Sequence, residues 1–223
     1  MAIFVSDYSK LKGNATEDGR FQSPAFERNH RPIIEALRSR LDLESGHVLE
    51  LGSGPGQHIS VMAKAFPKLT FWPSDPYPAH RESVEKWRAH HGVNNVMDPF
   101  ALDASESWNL KGDHAPQSGD IQAVLCINVL HVAPWSVAQG VLKGSAAHLG
   151  REGALFLYGP YSVDGQHISE GNASFDAAIR AENDAWGVRD VGEISTEAET
   201  HGLVIAERVE MPSNNFILVV KKG

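Results

Sequence analysis

Short apolar runs alternate with stretches of helical spacing along most of the chain. The apolar runs predict strands at seven places, namely 47–51, 69–72, 95–100, 121–127, 153–158, 203–209 and 216–220. Between them, Ile59, Met62 and Phe66 form one apolar face of a predicted helix over 57–66, and another helix is predicted over 135–149. Alternating strands and helices predict a parallel sheet joined by right-handed crossovers.

The last two apolar runs depart from this alternation. Six residues, 210–215, separate them, which is too few for a crossover helix, so the final strand should return antiparallel. The predicted fold class is α/β. It is a Rossmann-like class I methyltransferase fold with a seven-stranded, mostly parallel sheet, an antiparallel last strand and helices on both faces.

The length of 223 residues suits a single domain over 1–223. Residues 1–31 are predicted to be an irregular N-terminal segment, and helical spacing begins at Pro32, a residue tolerated in a first helical turn. Residues 159–190 form a long polar insertion after the fifth strand, which we expect to act as a lid over the substrate. Within it, a short helix over 172–182 is predicted with Asn172 as its cap.

A glycine-rich loop follows the first strand, in the order Glu50-Leu51-Gly52-Ser53-Gly54-Pro55-Gly56, and a helix begins directly after it. Glycines let the chain turn sharply and let a ligand approach the free N–H groups of the helix. Gln57 stands where a dinucleotide fingerprint has its third glycine. The carboxylate of Glu50 would repel a pyrophosphate but attract the ammonium and sulfonium groups of S-adenosylmethionine. An NAD-dependent dehydrogenase is the alternative enzyme class.

Further polar residues end the next strands of the predicted sheet, whose carboxyl ends meet at one edge. Asp75, 25 residues after Glu50, is expected to accept both ribose hydroxyls, and Asp103 to accept from the adenine amino group. Each has an ordinary alternative, since Asp75 could begin a turn before Pro76 and Asp103 could cap a helix. The predicted cofactor site consists of Glu50, Gly52, Ser53, Gly54, Gly56, Asp75, Asp103 and Asn128.

His131 follows the fourth strand, three residues after Asn128 at the strand tip. An imidazole can take a proton from an attacking hydroxyl, thiol or amine, so His131 is the predicted catalytic base. The alternative is a histidine that hydrogen-bonds a neighbouring loop. Trp135, after Pro134, is expected to form a wall of the substrate pocket, with helix-start packing as its alternative.

Two pairs of polar residues near the same edge are candidates for substrate binding. Asp176 and Arg180 lie four residues apart, so they either form a surface ion pair or face the substrate. Asn214 and Asn215 lie at the tip of the final hairpin, where they either form a turn or, in the case of Asn215, contact the substrate.

Charge and cysteine content bear on the partners and on the cellular compartment. The chain has 20 Lys and Arg against 28 Asp and Glu, a net charge of −8, so nucleic acid is not an expected partner, although Arg20, Arg28 and Arg31 lie close together. The single Cys126 lies in an apolar run, which is typical of a buried residue in a reducing compartment.

The chain shows no secretory signal and no apolar window long enough to cross a membrane, so a cytoplasmic protein without membrane contact is expected. The eleven histidines show no metal-binding spacing, so no metal is predicted. A Mg²⁺ ion held by carboxylates would leave no such spacing.

Motifs along nearly the whole chain, including the glycine-rich loop, resemble the uncharacterised methyltransferase-like family that includes methyltransferase-like protein 26. The motifs are Pro24-Ala25, Glu27-Arg28-Asn29, Pro32-Ile33, the segment from Val48 to His58, Trp72-Pro73-Ser74-Asp75, Asn128 to Trp135, Tyr158-Gly159-Pro160-Tyr161, Asn172, Phe175-Asp176, Arg180, Trp186 to Asp190, and Met211 to Asn215. Pro55 and Ser213 stand where that family often has Thr and Ala. The resemblance implies the class I fold and S-adenosylmethionine binding without naming a substrate, and Arg28, Asn29 and Tyr158 in its motifs are predicted to bind substrate.

These observations predict an S-adenosylmethionine-dependent methyltransferase that acts on a small molecule. A catalytically silent protein of the same fold, acting through protein partners, is the alternative outside enzymes. The acceptor atom and the oligomeric state are not specified by the sequence.

Overall fold

The computed structural model describes residues 15–42, 44–110 and 115–223. Its helices are α1 (Phe26–Arg38), α2 (Gln57–Ala65), α3 (Pro78–His91), α4 (Trp135–His148), α5 (Glu170–Glu182) and α6 (Val191–Thr200). Its strands are β1 (His47–Leu51), β2 (Thr70–Ser74), β3 (Ile121–Ile127), β4 (Leu149–Gly159), β5 (Tyr161–Val163), β6 (Gln166–His167), β7 (Arg189–Asp190), β8 (Leu203–Met211) and β9 (Asn215–Lys222).

The main sheet has the order β2-β1-β3-β4-β9-β8. Strands β2, β1, β3 and β4 pair in parallel, whereas β9 is antiparallel to both β4 and β8. The predicted α/β class, the mostly parallel sheet and the antiparallel last strand are therefore confirmed.

Helices cover both faces of this sheet. Buried residues of α1, α2 and α3, such as Ile33, Met62 and Val84, form one apolar cluster with one set of strand side chains. Buried residues of α4 and α6, such as Val141 and Ile194, form a second cluster with the other set. Successive strand residues point to opposite faces, so the central strands carry buried apolar residues on both faces.

The predicted seventh strand is absent from the sheet as the structure describes it. Residues 95–100 lie beside β2 but form two isolated parallel bridges, Phe71 with Val96 and Ser74 with Phe100. The continuous ladder fails because Pro73 has no N–H to donate toward this edge. The sheet therefore has six strands, and the prediction of seven was wrong.

Two predicted helix starts were also wrong. Helix α1 begins at Phe26, six residues before Pro32, so the irregular segment predicted over 1–31 is helical from Phe26 onward; residues 1–14 lie outside the described part. Pro32 lies inside α1, which the helix tolerates at the cost of one backbone hydrogen bond. Helix α5 is capped by Ser169, whose Oγ accepts from the N–H of Asn172, and Asn172 lies within the helix.

The insertion over 159–190 has a structure of its own. A small sheet of order β6-β5-β7 accompanies α5, and the side chains of Tyr161 and Trp186 are buried. Asp190 joins this small sheet to α6, because its Oδ1 accepts from the N–H of Gly192 at 2.8 Å. The insertion is thus an ordered subdomain at the carboxyl edge of the main sheet.

Candidate active site

A cavity of about 610 Å³ opens at the carboxyl edge of the parallel strands. This volume is within the range typical of small-molecule sites, and the edge is where open α/β sheets bind ligands. The structure brings most of the predicted site residues to its wall, namely Arg28, Asn29, Glu50, Gly52, Ser53, Gly54, Asp75, Asp103, Asn128, His131, Tyr158 and Asn215.

The three loop glycines all adopt left-handed backbone conformations, with φ of 63° at Gly52, 52° at Gly54 and 89° at Gly56. Gly56 does not line the cavity. A Cβ at Gly56 would lie 2.6 Å from the Cα of Val84, so this glycine allows the start of α2 to pack against α3. Gly56 is absent from the cavity wall, so the structure shows a packing role for it and does not place it where it was predicted to contact the cofactor.

Glu50 and Ser53 place unpaired polar atoms at the base of the glycine loop. Glu50 is 2 % exposed, and neither its Oε2 nor the Oγ of Ser53 has a hydrogen-bond partner among the described residues. Burial raises the pKa of Glu50 to about 8; the neighbouring Ser53 hydroxyl acts against this rise, and the negative charge of Asp75 adds to it to a lesser degree. A cation in the cavity would supply the missing partner of Glu50.

Asp75 is buried at the end of β2, and most of its acceptor capacity is in use. Its Oδ2 accepts from the N–H of Gly54 at 2.9 Å. Its Oδ1 accepts from the N–H of Tyr77 at 2.9 Å and lies 3.0 Å from the Nδ1 of His80. A carboxylate has roughly four acceptor positions, so one remains on Oδ2. Accepting both predicted ribose hydroxyls would require Asp75 to release one of these bonds.

Asp103 and Asn128 line the cavity while also shaping the backbone around it. The Oδ1 of Asp103 accepts from the N–H of Ser105 at 3.0 Å and from its hydroxyl at 2.6 Å, so this aspartate braces a turn. Asn128 has a left-handed φ of 57°, and its N–H donates to the carbonyl of Tyr158 at 2.9 Å. That bond holds the tip of β3 against β4.

His131 lies in a single 3-10 turn, Leu130–Val132, beyond the end of β3. The insertion holds this turn, because the N–H of Gly187 donates to the carbonyl of His131 at 3.0 Å and the Nε of Arg189 donates to that of Leu130 at 3.1 Å. The imidazole contacts the ring of Phe175 edge-on, with 5.4 Å between centroids. Burial, together with the charge of Arg189, lowers the pKa of His131 to about 4, so the ring is neutral at physiological pH.

Three predicted substrate residues lie outside the cavity wall. Trp135 packs against the core, and the guanidinium of Arg189 lies 5.8 Å from its ring centroid, which matches the packing alternative. Asp176 accepts from the Nε of Arg180 at 2.9 Å and from the N–H of Val188 at 2.6 Å. The Asp176–Arg180 pair therefore braces the insertion, as its ion-pair alternative implied.

The structure adds His58, His80 and Phe175 to the cavity wall, for which the sequence analysis assigned no role. The Nε2 of His58 lies 2.7 Å from the Oδ1 of Asn29. Burial, and secondarily the nearby His30, lower the pKa of His58 to about 3, so this ring is also neutral. The position of His58 just after the glycine loop was the available signal, but its partner lies on another helix.

The described residues contain no group of three or more His, Cys, Asp and Glu side chains arranged to hold a metal ion. None of the helices in the described ranges combines the length and apolar character needed to span a membrane. Cys126 is buried, as expected, and burial raises the pKa of its thiol to about 12, chiefly by desolvation.

The strand order, the antiparallel last strand and the cavity at the carboxyl edge define a protein of the class I methyltransferase fold. The chain belongs to the DUF938 family, described as a protein of unknown function, whose sequence model matches residues 20–222.

Solved structures with this fold resemble the chain at low sequence identity. The mitomycin 7-O-methyltransferase MmcR has a TM-score of 0.69 and 15% identity, covering 85% of this chain and 53% of its own. An O-methyltransferase family protein from Burkholderia thailandensis has a TM-score of 0.72 and 18% identity, covering 86% and 56%. NcsB1, an O-methyltransferase from neocarzinostatin biosynthesis solved with S-adenosylmethionine and 2-hydroxy-5-methyl naphthoic acid, has a TM-score of 0.65 and 15% identity, covering 87% and 56%. The chain thus spans about half the length of these proteins.

Proposed function

We propose that this protein is an S-adenosylmethionine-dependent methyltransferase acting on a small molecule. The observation that carries the proposal is the buried, unpaired Oε2 of Glu50 at the base of the glycine loop. Ionising a buried carboxyl that has an unpaired oxygen is costly, and a ligand ammonium would offset that cost. The fold of three solved methyltransferases supports the same assignment. Membership of the group that includes methyltransferase-like protein 26 is part of the proposal.

The residues of the cavity fit this cosubstrate. Glu50 and the hydroxyl of Ser53 would hold its amino-acid end, the remaining position on Asp75 Oδ2 would accept a ribose hydroxyl, and Asp103 would accept from the adenine. Asn128 would contact it from the tip of β3. When bound, S-adenosylmethionine supplies an electrophilic methyl group on a sulfonium sulfur.

His131 is the proposed catalytic base. Its ring is neutral above its pKa of about 4, so a nitrogen lone pair is available at physiological pH. As an acceptor oxygen attacks the methyl carbon and the carbon–sulfur electron pair returns to sulfur, the hydroxyl proton would pass to the imidazole. A base with so low a pKa gives limited assistance, so positioning of the acceptor should supply most of the rate.

The insertion over 159–190 is the proposed lid. Helix α5 reaches the cavity through Asn172 and Phe175, and the Nδ2 of Asn172 donates to the carbonyl of Asn214 at 3.0 Å. This bond links the insertion to the tip of the β8–β9 hairpin. One domain over 1–223, a cytoplasmic location and the absence of nucleic-acid or membrane partners belong to the same proposal.

Titration calorimetry tests this function. We expect the protein to bind S-adenosylmethionine and S-adenosylhomocysteine and to show no heat with NAD, because Gln57 stands where a dinucleotide-binding loop has its third glycine. Binding of NAD in place of the two sulfur compounds would refute the proposal. Methyl transfer from labelled S-adenosylmethionine to a small-molecule library would then separate an enzyme from a silent protein of the same fold.

A further inference from the structure

The charges around the cavity are separated between two sides. The carboxyl groups on one side come from the end of β1, from the residue after β2 and from the segment before β3; they are Glu50, Asp75, Asp103 and Glu106. Among the described residues, one Lys or Arg side chain lines the cavity. It is Arg28, which belongs to α1. Tyr158, near the carboxyl end of β4, lines the same cavity as Arg28.

Asn29 is held with a defined amide orientation beside Arg28. The buried, neutral ring of His58 lies 2.7 Å from the Oδ1 of Asn29, so the proton on Nε2 donates to that oxygen. The amide nitrogen of Asn29 is therefore the group left for the cavity and for Tyr158. Asn29 is 4 % exposed and Tyr158 is 5 % exposed, so these donors have little access to bulk water.

Arg28 has donors to spare. Its Nη1 donates to the carbonyl of Pro24 at 2.9 Å, and no carboxylate among the described residues pairs with it. A guanidinium has five N–H donors, so most of them remain available at the cavity mouth. Arg28, Asn29 and Tyr158 line the same cavity. Burial raises the pKa of the Tyr158 phenol, while Asn29 and Arg28 act to lower it.

We propose that Arg28, Asn29 and Tyr158 form a subsite that binds a carboxylate of the methyl acceptor. This inference rests on the proposed methyltransferase function and names the chemical class of its substrate. A planar guanidinium matches a carboxylate in a two-pronged arrangement, and one cation balances one negative charge. The acceptor is therefore a small organic acid, anchored on the side of the cavity opposite in charge to the cosubstrate site.

The test compares acids with their uncharged amides. Benzoate, 2-hydroxybenzoate and 1-naphthoate, each with its primary amide, are titrated by ligand-observed NMR into protein saturated with S-adenosylhomocysteine. We expect at least one acid to bind roughly tenfold more tightly than its amide, and Arg28→Gln to remove that preference. Arg28→Lys should keep part of it. Arg31→Gln is the matched control, because Arg31 lies on the same helix, is exposed and does not line the cavity.

Amides that bind as tightly as every acid would overturn the carboxylate subsite, as would equal losses in Arg28→Gln and Arg31→Gln. Binding of S-adenosylhomocysteine is measured separately in each variant. If it binds while acids show no preference, the subsite is wrong and the methyltransferase proposal stands. If it does not bind, the methyltransferase proposal fails, and an acid preference that depends on Arg28 would still support the subsite.

Discussion

The protonation of Glu50 leads to the sharpest prediction. In the free protein the pKa of this carboxyl is raised to about 8, so at pH 7 roughly nine molecules in ten carry the proton. Pairing with a ligand ammonium requires the ionised form. Binding of S-adenosylhomocysteine should therefore release close to one proton at pH 7, and the substitution Glu50→Gln should abolish that release because glutamine does not titrate.

The size of the effect follows from the same value. Each pH unit below about 8 adds about 1.4 kcal/mol to the cost of ionising Glu50, which corresponds to a tenfold change in affinity. The affinity of the wild type should rise up to about tenfold per unit between pH 6 and 8 and then level. The ligand amine titrates identically in both proteins, so the difference between wild type and Glu50→Gln isolates this carboxyl.

The free energy of unfolding changes in a related way. The folded pKa lies above the ordinary value of 4.5, so the folded state holds more protons between about pH 4.5 and 8. Stability contributed by the neutral carboxyl is therefore lost as pH rises through that window. Glu50→Gln should become progressively more stable than the wild type over the same interval, as urea denaturation at several pH values would show.

Calorimetry in buffers of different ionisation enthalpy measures the proton count directly. Phosphate and Tris at pH 7 should give different observed heats for the wild type and more similar heats for Glu50→Gln, with the residual difference belonging to the ligand amine. Equal proton release in the two proteins would refute the assignment of Glu50 as the group that meets the ligand cation.

Three other predictions follow from the site. His131→Ala should keep S-adenosylhomocysteine binding and lose about 10²-fold in turnover, the lower end of what a general base contributes, because its pKa is low; the wild-type rate should rise with pH near 4, a step absent in the variant, and near-full activity would leave His131 a pocket residue. Gly56→Ala should lower the free energy of unfolding by about 2 kcal/mol or more through its left-handed φ and the contact with Val84, whereas Gly92→Ala, which meets nothing within 4 Å, should cost about 1 kcal/mol; equal urea midpoints would contradict this. Residues 159–190 should gain hydrogen-exchange protection when cosubstrate and an acid bind, and unchanged protection would mean a rigid insert.

Local pattern was sufficient for most of the main sheet. The apolar runs predicted β1, β3 and β9 closely, and the short link before β9 predicted its antiparallel return. The edge segment 95–100 was mispredicted for two reasons. It contains Pro99, a signal against a strand that the sequence itself carries, and it lies beside Pro73 of β2, which has no N–H to donate and whose carbonyl accepts from Phe100. The second reason depends on a neighbour that only the folded sheet supplies.

The same division holds for the site. Glu50, Asp75, Asn128 and His131 reach one cavity because each lies at or just beyond the carboxyl end of a parallel strand, and parallel strands end at a common edge. Their burial and protonation could not be predicted in the same way. The pKa of His131 depends on the insertion that covers it, and that of Glu50 on the depth of the loop.

The sequence by itself therefore determined the order of the main-sheet elements, the edge where the cavity lies and the strand-end residues that meet there, because these depend on spacing along the chain. The tertiary structure decided which polar groups are already partnered. Asp176 accepts hydrogen bonds from Arg180 and Val188, and Trp135 packs against the core. The contact with His58, in contrast, orients Asn29 toward the cavity. Spacing offered the Asp176–Arg180 pair but left its role open, and the His58–Asn29 contact joins residues 29 apart in sequence. Packing, which spacing does not encode, therefore selects between a structural and a ligand-facing role.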